Sequence, residues 1–415
     1  MRVLVILNRI PLPLTDGGAI CSYNTVKFLH AAGHDLTVLA LNTNKHYHDP
    51  AGMADVCAEI RTLDINTDIS ALNAARNLLF SRRPYIAERF HNRVFADLIV
   101  ETLLNADAQG KPFDVVHIDH TMIAWYADAV RERVPSAPPL VLRTHNIEHI
   151  IQERLAAHEG HPAKRWYRQF LARRMKRYEQ EYWNKFDGVI AITPEEAGIM
   201  WDLGCCVPVG IVPAGVDVAE FVPRPDSMLL PSTLCYIGGM DWQPNIEAVQ
   251  WFVETVFPRV QEDSVRQGLP ALGLHIAGKR MPPSLQRYAE REGVSMHPDV
   301  PSAADFLRTH EILVVPLLSG GGMRLKIVEA MALGIPIVST RVGAEGITAR
   351  HGESIMFADT PEEFQAAISA LRTTPELKER IVRNAREIAL REYSWESATS
   401  RLEQFYERVV LEKKQ

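Results

Sequence analysis

No apolar run in this sequence reaches the roughly 18 residues that span a bilayer, so any membrane contact has to be peripheral. The amino terminus, MRVLVILNRIP, is followed by no small-residue cleavage site and reads as a first β-strand, not a signal peptide. Cysteine is scarce. The five, Cys21, Cys57, Cys205, Cys206 and Cys235, are odd in number and lack metal-ligand spacing, as expected of reduced residues in a cytoplasmic protein. A basic excess is also missing: 45 Lys and Arg against 51 Asp and Glu leave a net charge of −6, which argues against wholesale nucleic-acid binding. No Asp-x-Asp pair occurs, so the sequence requires no divalent metal.

What is present is a soluble globular composition, 47% hydrophobic and 23% charged, over 415 residues, enough for two or three domains. Short β-branched runs alternate with helical periodicity. Strands are expected at 2–7, 35–41, 113–118, 140–144, 188–192 and 209–213, then at 233–237, 273–277, 312–318 and 335–339. Helices are expected from about residue 19, at 164–185, 194–203, 245–257, 305–309, 323–333, 361–371, 375–393 and 395–412. A stretch without periodicity, 214–232, holds Gly215, Pro223, Pro225 and Pro231 and reads as a linker. The expectation is an α/β chain: a doubly wound domain over 1–213, a second over 233–394, and a last helix, 395–412, packing back on the first.

The most informative stretch is 316–340, PLLSGGGMRLKIVEAMALGIPIVST, a strand, glycine loop, helix and strand. Consecutive glycines let an anionic group approach the main chain. At about 100° per residue the helix turns Leu325, Val328 and Ala332 to one side, whereas Lys326 and Glu329 stand about 60° apart on the other. A lysine in the first turn is disfavoured by the helix dipole unless an anion is bound there. Arg324 shares its ligand only if the helix begins after Met323. Gly17 and Gly18 precede another helix and suit a phosphate or a plain tight turn equally. His145, Asn146 and Glu148 follow a strand at its carboxyl end, where such sheets collect ligands. Two basic, aromatic segments, 77–95 and 164–185, suit either a solvated face or an anionic surface, and Trp166, Phe170, Tyr178 and Tyr182 are expected near one face of the second.

Taken in order, DGGA, RTHNIE, FDGVIAIT, VPAGVD, YIGGMDWQPN, GGGMRLKIVEAMALGIPIVST and the SW helix resemble the family 4 (group 1) retaining glycosyltransferases over nearly the whole chain. The resemblance implies a GT-B fold, two Rossmann-like domains facing across a cleft, and transfer of a sugar from a nucleoside diphosphate sugar, UDP or GDP, to a hydroxyl acceptor. It implies Glu329 at the ribose hydroxyls, Lys326 with Arg324 at the diphosphate, Gly18 and Gly239 in close approach to the donor, and His145 near the transferred sugar. Gly17, Lys279, Gly321 and Gly322 complete the expected donor-binding set, and no cofactor or metal is expected. The setting it suggests is cell-envelope polysaccharide or glycolipid synthesis, and the basic aromatic segments 77–95 and 164–185, both in the first domain, point separately to a cytoplasmic protein that meets the inner membrane face peripherally and takes a lipid-linked or otherwise anionic acceptor.

Two departures from the family pattern matter. Gly321 stands where the first Glu of a paired-glutamate motif is expected, which leaves the donor sugar unreadable. In YIGGMDWQPN, Trp242, Gln243 and Asn245 replace an expected Arg and Lys, so Lys326, Arg324 or Lys279 must supply the charge. A hydrolase or epimerase on the same fold needs acids and bases at the sugar's C2, and no such cluster is apparent. A non-catalytic sugar-nucleotide-binding protein rests on Gly321 alone.

Overall fold

The computed structural model describes residues 1–14, 16–157, 159–223 and 229–414, so positions 224–228 of the expected linker lie outside the described residues. The chain forms two compact units, Met1–Pro213 with the chain from Ala398 onward, and Ala214–Ser397.

In the first unit seven strands, Arg2–Leu7 (β1), Asp35–Thr43 (β2), Glu59–Ile65 (β3), Val115–Asp119 (β4), Leu140–Arg143 (β5), Gly188–Ala191 (β6) and Val209–Ile211 (β7), pair in the order β3-β2-β1-β4-β5-β6-β7. Every pairing is parallel. Both faces of such a sheet are covered, which is why VLVIL and LVL read as unbroken apolar runs. β3 escaped the sequence reading because EIRTLDI is an edge strand with little buried surface.

The basic helix runs Pro162–Trp183 and buries Leu171, Ala172, Met175, Tyr178, Glu179, Tyr182 and Trp183. The expectation of one shared aromatic face fails. Trp166 to Tyr182 spans about 160° of helix, so Tyr178 and Tyr182 enter the core while Trp166 stays exposed. The last helix, Trp395–Lys413, lays Phe405 on Gly188 and Gly210, where an added Cβ would come within 2.8 and 2.7 Å of its ring. Its Tyr406 hydroxyl bonds His117 Nδ1 at 2.7 Å.

In the second unit six strands, Thr233–Ile237 (β8), Gly273–Gly278 (β9), Val294–Pro298 (β10), Ile312–Val315 (β11), Ile337–Ser339 (β12) and Met356–Phe357 (β13), pair in parallel in the order β10-β9-β8-β11-β12-β13. The two outermost strands were not anticipated, for edge strands this short or polar carry no buried run. Helix Gln243–Trp251 was expected to stop near Phe257, but it continues through a widened π turn, Phe252–Val256, into helix Phe257–Arg266. The wider turn accommodates Pro258, which lacks an N–H. β11 ends at Val315 rather than at 318 because Pro316 cannot extend the ladder.

Candidate functional site

In the second unit the functional groups gather at the carboxyl end of β8 and the amino end of helix Leu325–Leu333. That helix starts two residues later than expected. Gly320 (φ 125°) and Gly322 (φ 78°) occupy left-handed backbone, and Arg324 is still extended (φ −95°, ψ 100°). The extended Arg324 folds back, donates to the Gly321 carbonyl and lays its guanidinium 4.8 Å from the Trp242 ring centroid. Of the two geometries open in the sequence, the later helix start is the one found, and it puts Arg324 and Lys326 close enough for each to feel the other's charge.

Lys326 reaches into the crook of the Gly238–Gly239 turn. Its Nζ lies 4.2 Å from the Tyr236 ring centroid and is sealed from solvent without a hydrogen-bond partner. An added Cβ on Gly238 would fall 2.9 Å from that Nζ. Asn245 holds the turn, donating to the Gly239 carbonyl at 2.8 Å and accepting from the Tyr236 hydroxyl at 2.5 Å. Gly278 leaves no room either: a Cβ there would sit 2.0 Å from the Gly238 carbonyl oxygen. Burial, with Arg324 nearby, pushes Lys326 down to about 7. Burial pushes the Glu329 carboxyl up to about 7, with Lys326 opposing and Glu220 adding to the rise. The helix therefore presents a buried amine with no hydrogen-bond partner and a reluctant carboxylate, suited to an anion and to neutral hydrogen-bond donors such as hydroxyls. Lys279, which follows β9, is exposed.

In the first unit Gly17 and Gly18 open helix Gly17–Ala31, and the Asp16 carboxylate caps it by accepting from Ala19 N at 3.0 Å. Asp16 also pairs with Arg9 at 2.5 Å; burial opposes its charge, but Arg9 holds its carboxyl below the usual range. His145 is largely buried, and its Nε2 bonds Asp119 Oδ1 at 2.9 Å. Asp119 also accepts from the Ser22 hydroxyl at 2.5 Å and lies 3.5 Å from His117 Nε2. Burial opposes the Asp119 charge, yet His145 and His117 keep it well below the usual carboxylate range.

His120, one residue beyond β4, stacks on His145 with ring centroids 5.1 Å apart. Its backbone takes φ 122°, a strained value for a residue with a side chain. Its Nδ1 accepts from Met122 N at 3.2 Å, which leaves Nε2 to carry the proton, and burial with His145 nearby lowers it to about 3, so the ring is neutral. Glu148 is buried with Glu179 and Glu196, and burial followed by those two charges pushes it up to about 8. The sequence marks His120 only as the residue after a strand and gives Arg9 and Asp119 no role; the signal for all three is position, just past β1 and at the end of β4. Among the described residues no three His, Cys, Asp or Glu side chains group as a metal site.

The chain is similar to known proteins over most of its length. Residues 15–220 match the model "Glycosyltransferase Family 4" and residues 231–374 match "Glycosyl transferases group 1". A Klebsiella pneumoniae relative, described as an uncharacterized 44.6 kDa protein in a cps region, is 21% identical across 86% of this chain and 87% of its own. A D-inositol 3-phosphate glycosyltransferase of Streptomyces griseus is 31% identical across 30% of this chain and 28% of its own. Among solved structures, sucrose-phosphate synthase of Thermosynechococcus elongatus superposes with TM-score 0.66 at 16% identity, covering 99% of this chain and all of the other. Anabaena HepE, solved in complex with UDP, superposes with TM-score 0.66 at 12% identity, covering 98% of this chain and all of the other. With two parallel sheets in two Rossmann-like units and both family models matched in turn, the chain belongs to the group 1 / family 4 glycosyltransferases and has the GT-B fold.

Proposed function

We propose that this glycosyltransferase takes its sugar from a nucleoside diphosphate sugar and transfers it with retention to a hydroxyl acceptor, without a metal. The observation that carries the reading is the Lys326 ammonium, sealed beside the Gly238–Gly239 turn with no hydrogen-bond partner. A diphosphate supplies the missing charge, and Arg324, extended toward the glycine loop, adds a second cation. Glu329 accepts from the ribose hydroxyls. His145, oriented by Asp119, keeps the role at the transferred sugar that the resemblance implies.

In the reaction the bond between the anomeric carbon and the diphosphate oxygen breaks first, through an oxocarbenium-like state. The acceptor oxygen then bonds to the same face, and its proton passes to the departing phosphate oxygen. Lys326 and Arg324 favour this step by holding the charge that develops on the leaving group. A UDP-bound GT-B neighbour and a relative in a cps region fit a nucleotide-sugar donor and a lipid-linked or sugar acceptor in envelope polysaccharide synthesis. A thermal-shift panel of UDP, GDP, ADP and their sugars tests the donor, because a ligand that binds only the folded form raises the melting point. Released nucleoside diphosphate without any glycosylated acceptor would favour a hydrolase instead, and no shift with any nucleotide would refute the reading.

A further inference from the structure

Helix Ala71–Phe80 is inside out. Its buried residue is a polar one, Asn77, while Leu72, Leu79 and Phe80 are 79%, 73% and 83% exposed, and Ile69 just before it is 79% exposed. The orientation is fixed by its polar side. Asn77 Nδ2 donates to the Arg83 carbonyl at 3.2 Å, and Arg174 Nη1 donates to both the Asn77 carbonyl and its Oδ1 at 3.1 Å. Arg174 Nη2 reaches the Leu78 carbonyl at 3.2 Å. The same guanidinium lies 4.4 Å from the Phe170 ring centroid, and Phe170 stacks on the exposed Trp166 at 5.7 Å. Arg174 thus ties the polar side of this helix to helix Pro162–Trp183, where Trp166 is also exposed, so both elements carry apolar side chains in solvent.

The charge on these two segments is largely basic, with Glu88 3.9 Å from Arg83 and Glu159 3.3 Å from Arg168 as the acidic exceptions. Residues 69–87 hold three arginines and no carboxylate, and residues 162–178 hold seven Lys or Arg and no carboxylate, in a chain whose net charge is −6. A second copy of this face would bring like charges together, and a nucleic acid would leave the Leu and Phe side chains in water. A bilayer with anionic headgroups satisfies both: Leu, Phe and Trp enter the acyl boundary while Arg and Lys meet the phosphates. We propose that the outward face of helix Ala71–Phe80, with Ile69 and Trp166, docks on a membrane surface that carries anionic lipid.

Docking goes beyond sugar transfer, and either can fail without the other. The test is co-sedimentation of the full chain with vesicles of phosphatidylcholine, pure or with about one third phosphatidylglycerol, at low and high salt. Wild type is expected to bind the anionic vesicles at low salt only. The double variant Leu79→Ser/Phe80→Ser should bind about tenfold more weakly, and Arg76→Gln/Arg82→Gln should also lose affinity. All four side chains are exposed, so melting points and nucleotide binding in solution should stay at wild-type values in both variants. Absence of vesicle binding by wild type, equal binding to neutral vesicles, or variants that sediment like wild type would each overturn the proposal. So would self-association that the Leu79/Phe80 variant abolishes without any vesicle binding.

Discussion

Replacing Lys326 with Met should make the empty protein more stable and the enzyme less active. The ammonium is solvent-sealed, has no hydrogen-bond partner and is lowered from 10.5 to about 7. The unfolded chain thus binds the proton more tightly than the folded one, and stability rises with pH between about 7 and 10.5 and is lowest below that window. At about 1.4 kcal/mol per tenfold change in proton affinity, holding the charge at pH 6 costs up to about 5 kcal/mol, and local relaxation reduces the gain on removal to about 1–2 kcal/mol. Met keeps the packing on Tyr236 and removes the charge. Calorimetry of the ligand-free variant at pH 6 should show the second unit melting higher by about 2–4 °C per kcal/mol, with a flatter pH profile. Donor kcat/KM should fall at least about tenfold, and nucleotide-induced stabilisation should shrink. A destabilised variant, or one with unchanged kcat/KM, would refute the argument that this lysine waits for an anion.

Gly278→Ala should displace the Gly238–Gly239 turn, since the new methyl would meet the Gly238 carbonyl oxygen at 2.0 Å, and should weaken nucleotide binding about tenfold by calorimetric titration. Glu148, raised to about 8, binds a proton that the unfolded chain releases near 4.5, so wild type loses stability as pH climbs from about 4.5 to 8. Glu148→Gln should flatten that slope, leaving the part that Glu329 contributes below about pH 7, and melting curves in which the two proteins stay parallel would refute it. Asp119→Asn should free the His145 ring and cost about 1–3 kcal/mol of stability, read by denaturant titration, and should shift the pH profile of transfer; an unchanged profile would remove Asp119 from the role of orienting His145. Gly210→Val should loosen helix Trp395–Lys413 by driving Phe405 off β7, seen as faster hydrogen exchange in its amides and about 1–3 kcal/mol of lost stability.

Local patterns in the sequence were enough for a good deal of this molecule. Buried parallel strands must be short continuous apolar runs, so β1, β2, β5 and β8 stand out, and glycine followed by proline ends helix Leu325–Leu333 wherever it lies in space. The fixed period of a helix likewise separates Lys326 and Glu329 from the packing side without any knowledge of neighbours. Tertiary structure decided what lies across from each residue. Edge strands β3, β10 and β13 exist because a neighbour supplies their hydrogen bonds, not because they are apolar. The true start of the 325–333 helix, and with it the reach of Arg324, depends on backbone angles at Gly320 and Gly322 that no periodicity reports. Asp119, His120 and His145 meet only because β4 and β5 are neighbours in the sheet. The same holds for the two basic segments: composition made them alike, whereas packing took Tyr178 and Tyr182 into the core and turned Leu79 and Phe80 out to solvent. Sequence fixes what a side chain is and how often it recurs, but burial and partnership are properties of pairs that the chain brings together only on folding.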